Sequence, residues 1–77
     1  MRCYKKRGIR DGYVPRANSK AELIEACLSS TKWRSADEIH DEINRKSPDV
    51  SLPTVRHHLN WHVRNGRRLE MQERDAC

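Results

Sequence analysis

The stretch from Val50 to Gly66 constrains this chain more than any other, because it carries a helix start, an apolar stripe, a polar face and a stop. Ser51 is placed to cap the first turn, its hydroxyl accepting a backbone N–H that the helix itself leaves unpaired. Pro53 falls in that first turn, where a missing N–H costs little. Leu52, Val55, Leu59 and Val63 follow at spacings of three, four and four, which puts them on one helical stripe. Gly66 comes after the last of them and suits the left-handed conformation that ends helices. Away from the stripe stand Thr54, Arg56, His57, Asn60, Trp61 and Arg64. Between Ser51 and Arg68 there are four arginines, Arg56, Arg64, Arg67 and Arg68, and no carboxylate. Arginine pairs with guanine edges and phosphates, asparagine with adenine, serine and threonine with either.

The basic charge is unevenly spread. The formal charge is +5, but residues 1–20 hold seven Lys/Arg against one Asp, while residues 21–77 hold nine Lys/Arg against ten acids. A nearly neutral body with clustered basic charge predicts a polyanionic partner. Seventy-seven residues, 35% of them apolar, allow one domain with a small core. No apolar run reaches membrane length and no signal-peptide hydrophobic region is present, so a cytoplasmic protein with no membrane partner is expected. Cys3, Cys27 and Cys77 are odd in number and far apart, which predicts reduced thiols, with Cys27 a small core residue.

Residues 1–18 contain two glycines, a proline and no periodicity, and read as a basic flexible arm. Lys5, Lys6 and Arg7 would then either track phosphates, as basic arms of small DNA-binding domains do, or serve solubility alone. Tyr4 or Tyr13 is the residue able to tie the arm down. Residues 19–74 form the domain proper and 75–77 a tail. A first helix starts at Asn18 or Ser19, with Glu22 completing a capping box, and runs to about Ser29 on a stripe of Leu23, Ile24, Cys27 and Leu28. Trp33 in the following link marks a brief strand or a core anchor. Ser35 and Glu38 make a second capping box for a helix that buries Ala36, Ile39 and Ile43 and ends near Lys46. Leu69 and Met71, alternating with Glu70 and Gln72, have the period of a short strand. The predicted fold is mainly α: a three-helix, helix-turn-helix core with a minimal β wing. Trp61 is expected to close the core under the last strand.

Residues 50–66 resemble the DNA-binding helix of ferric-uptake-regulator-type winged-helix repressors. Val50-Ser51-Leu52, Thr54-Val55, Leu59-Asn60, Val63 and Gly66 carry the likeness, and Ser35-Ala36-Asp37-Glu38-Ile39 is similar to the start of the family's preceding helix. The resemblance implies a DNA-binding fold in which Ser51, Thr54, Arg56 and His57 face DNA. Trp61 and His62 depart from the family pattern, and its metal-binding and dimerisation domain has no counterpart in these residues. Iron sensing is therefore not implied.

His58 and His62, four apart, would reach one metal ion from a single helix face. A structural zinc needs four ligands and the sequence offers these two, so no metal or other cofactor is expected. A half-buried place at a helix seam is the plainer reading. No phosphate loop, nucleophile elbow or metal-hydrolase motif is present, so no catalytic residue is assigned. The expected function is non-catalytic regulation through double-stranded DNA, of a small phage, plasmid or bacterial type. Thr54, Arg56, His57 and Asn60 would face base edges, with Ser51 at the helix start, while Arg64, Arg67, Arg68 and the arm neutralise phosphates. One such helix reads few base pairs, which calls for a homodimer or a larger protein partner. The rival expectation is an adaptor or inhibitor that binds a host protein through Trp61 and the acids of the second helix. RNA binding through the arm is a third, disfavoured by the few aromatic platforms.

Overall fold

The computed structural model describes residues 1–8, 13–65 and 68–77. Six elements follow in order: β1 (Arg2–Lys6), α1 (Lys20–Ala26), β2 (Arg34–Ser35), α2 (Ala36–Asn44), α3 (Leu52–Arg64) and β3 (Leu69–Glu73). Three serines start the three helices. Ser19, Ser35 and Ser51 are extended in backbone, and each side chain accepts the N–H three residues on. The reciprocal half of the capping box closes at α2, where Glu38 accepts from the Ser35 N–H. At α1 the equivalent carboxylate, Glu22, accepts from Asn18 instead. Asn18 has φ 61°, a left-handed conformation that asparagine tolerates better than most side chains. Gly66, the expected helix stop, lies outside the described residues; Asn65 caps α3 in an extended conformation, its N–H bonding Trp61 O at 2.7 Å.

The strands form one antiparallel sheet in the order β2-β1-β3. This corrects the mainly α expectation: the fold is mixed α/β, with three helices against a three-stranded sheet. Among the described residues no wing hairpin follows α3. Among the described residues β3 pairs with β1, from the other end of the chain, with Lys6 opposite Leu69 and Arg2 opposite Glu73. Residues 2–6 are thus the central strand and not part of a flexible arm. The reason is Tyr4, whose ring is 2% exposed inside the core. Burying it there aligns β1 for pairing on both edges, despite the basic residues around it.

Side chains directly opposite in a sheet share a face. Tyr4 and Leu69 lie on the helix side with Ile24, Leu28, Ala36, Ile39, Ile43, Val50, Val55 and Leu59. Cys3, Lys5, Glu70 and Gln72 alternate to the other side. There Lys5 meets Glu70 at 3.8 Å and lies 4.8 Å from the Trp33 ring centroid, with Arg74 also over that ring. Trp33 is therefore a half-buried platform for cations rather than core.

The expectation of three free thiols is also corrected. Cys3 and Cys77 form a disulfide, which draws the residues after β3 back onto the central strand. Sequence distance hid the pair; strand pairing at Cys3 and Gln72 brings the two ends together. Cys27 stays free and half-buried against the core. Burial first, and then a hydrogen bond to the Glu42 carboxylate, push its thiol up to about 11. No helix among the described residues is long and apolar enough to cross a membrane.

Candidate nucleic-acid interface

The helix α3 divides its residues as the stripe predicts. Val55 and Leu59 are fully buried, and Leu52 and Val63 pack partly against the core. Arg56, His57, Trp61 and Arg64 are exposed, while Thr54, His58 and Asn60 are half-buried. Over its thirteen residues α3 has no acidic side chain. Neither Arg56 nor Arg64 has an ion-pair partner among the described residues. The result is one exposed cationic ridge about 20 Å long.

Individual residues on the ridge differ in how free they are. Ser51 and Thr54 are hydrogen-bonded to each other, Oγ to Oγ1, at 2.8 Å. Asn60 accepts from the Tyr4 hydroxyl at 2.8 Å, which fixes its amide against β1. Burial raises the Tyr4 phenol, while the nearby Arg2 and Arg56 guanidiniums work against that rise. Trp61, expected to close the core, is 50% exposed instead. Leu69 and His62 are the buried side chains there, and the indole stands on the ridge. It borders a groove of about 330 Å³ lined also by Lys20, Ala21, Ile24, Thr54, His57 and His58.

Two of the other expected contacts, Arg68 and Lys5, are not brought to the ridge. Arg68 turns inward: its guanidinium pairs with Glu25, bonds His62 Nδ1 at 3.0 Å and lies 4.0 Å from the Tyr13 ring centroid. A partly buried cation held this way is not available to a phosphate. Lys5 points to the sheet face away from the helices. Lys6 and Arg7 are anchored through their backbone, to Ser29 O and Arg68 O. Arg67 lies outside the described residues.

Behind the ridge is a polar seam. Glu25 of α1 is 7% exposed and receives both Arg68 and His58, the latter at 3.1 Å. Since the carboxylate only accepts, His58 Nε2 carries the proton there. His62 accepts at Nδ1 from Arg68, so its proton sits on Nε2. The His58 and His62 rings stand 4.4 Å apart. This is the helix-seam place read as the plainer alternative to metal ligation. Among the described residues no group of three or more His, Cys, Asp or Glu side chains gathers as a metal site would require.

The residue that sequence reasoning missed is Arg2. It lines a cleft with Tyr4, Arg56 and Asn60, across 54 positions of sequence from Arg56. Nothing in the linear pattern joins the two; only the possibility of Tyr4 tying down the N-terminus pointed that way. Comparison with known families, curated proteins and solved structures finds no match to the chain.

Proposed function

We propose that this protein is a small, non-catalytic regulator that binds double-stranded DNA through α3. The observation that carries the reading is the exposed face of that helix. Arg56, His57 and Arg64 stand on it with no carboxylate on the helix and no ion pair among the described residues, in front of a stripe packed into the core. Such a helix fits a major groove, where cations meet phosphates and planar donors meet base edges. The resemblance of residues 50–66 to the DNA-binding helix of ferric-uptake-regulator-type repressors supports the same role, though not a mainly α architecture. The ridge covers few base pairs, so a useful operator is read by a homodimer or with a partner. A cytoplasmic site belongs to this reading; there the Cys3–Cys77 bond faces a reducing pool.

Fluorescence anisotropy with a labelled duplex over a salt series tests it. With about six phosphates contacted, affinity falls about a thousandfold between about 50 and about 200 mM salt. Absence of binding at low salt, or binding indifferent to salt, contradicts the proposal. The exposed Trp61 beside its groove favours one second reading, a protein partner for the same helix. Salt-resistant binding to a protein, with labelled duplex unshifted, selects that reading instead.

A further inference from the structure

Where α3 meets β1 and the start of α2, a cleft of about 400 Å³ opens. Arg2 and Tyr4 line it from β1, Asp37 from α2, and Arg56 and Asn60 from α3. Both arginines share this lining with the Tyr4 ring, whose hydroxyl is already bonded to Asn60. Neither has an ion pair among the described residues; Asp37, the acid in this lining, pairs with neither. Two like charges brought to one cleft repel, and an anion between them relieves that repulsion. Asn60 is held by its Oδ1 bond from Tyr4, which leaves its Nδ2 as a donor on the same wall. Guanidinium forks match the oxygens of a phosphate. At about 400 Å³ the cleft has room for a phosphate group and not for a duplex.

We infer that this cleft is a phosphate site, with Arg2 and Arg56 as its two arms, and that on DNA it holds a backbone phosphate beside the groove that α3 enters. The source of the phosphate rests on the DNA reading; the chemistry of the cleft does not. Arg56 is thereby assigned to a phosphate, not to a base edge.

Titrating the ¹⁵N-labelled protein with inorganic phosphate, against chloride at equal ionic strength, tests the cleft by itself. Phosphate-specific shifts at Arg2, Tyr4, Asp37 and Asn60, lost in Arg2→Ala, support it. Shifts no different from those with chloride, or scattered over the basic surface, overturn it. On a labelled duplex, Arg2→Ala lowers the slope of log affinity against log salt by about one and weakens unrelated sequences alike, about tenfold at 0.1 M salt. If Arg2→Ala keeps the wild-type slope while the phosphate shifts stand, the cleft takes a free phosphate group and the DNA part of the inference fails. If wild-type protein ignores duplex DNA, the DNA reading fails and the phosphate titration still decides the cleft. Arg2→Gln serves as a second variant should Arg2→Ala not fold.

Discussion

Glu25 is the residue whose chemistry is most tightly bound to the fold. Burial alone would raise its carboxyl above the ordinary value of 4.5, but hydrogen bonds from His58 and Arg68 outweigh burial and hold it lower. A folded-state value below the unfolded one means that Glu25 stabilises the fold above about pH 4.5, and that this contribution is lost as pH falls through the depressed value. Glu25→Gln leaves Arg68 without its carboxylate, and breaking a buried pair from one side costs about 3–5 kcal/mol. Thermal melts from pH 3 to 7 check both statements: the variant melts lower at neutral pH and shows a flatter acid limb. An acid limb identical to wild type contradicts them. Cys27 behaves in the opposite sense. With its thiol pushed up to about 11, it stays protonated at pH 8 and reacts with iodoacetamide far more slowly folded than unfolded. Equal alkylation rates in the two states would contradict that. The core place of Cys27 and the seam place of His58 were legible beforehand, but the pairing on Glu25 was not, because Glu25, Arg68 and His58 lie on three separate segments.

At the scale of elements, helices were legible and the central strand was not. Each helix start has a serine, and two also have a carboxylate three residues on, so local hydrogen bonding announces them in the sequence. The stripe of α3 and the alternation of β3 were equally visible. By contrast β1 has only Cys3 and Tyr4 among Arg2, Lys5 and Lys6, and its identity comes from distant partners, β2 in mid-chain and β3 near the other end. The cationic ridge was readable from helical spacing, whereas the inward turn of Arg68 and the exposure of Trp61 depend on what packs beneath them. Two substitutions in α3 separate framework from contact. Leu59→Ala empties a fully buried site and costs about 2–5 kcal/mol of stability. Arg64→Ala, exposed and without an ion pair among the described residues, changes stability by less than about 0.5 kcal/mol yet weakens duplex binding at every sequence. Denaturant melts and anisotropy on both variants check this; loss of stability in Arg64→Ala would place that arginine in the framework.

For the whole molecule, the disulfide makes one closed unit of a chain with a small core. Cys3 and Cys77 are separated by 74 positions, and closing a loop of that length removes enough unfolded-state freedom to add about 4 kcal/mol. Cys77→Ser, or reduction of the wild type, should lower the melting temperature markedly without changing the secondary structure seen by circular dichroism. Equal melting with and without reductant would mean that strand pairing alone holds the ends. The clasp lies on the sheet face away from α3, so the ridge itself is left uncovered. The central claim is that this ridge meets a duplex. Amide shifts on titrating the labelled protein with duplex DNA measure it directly. The account predicts movement at Arg56, His57, Trp61 and Arg64 and stillness at Lys5, Trp33 and Glu70. Movement confined to the sheet face, or none along α3, would contradict it.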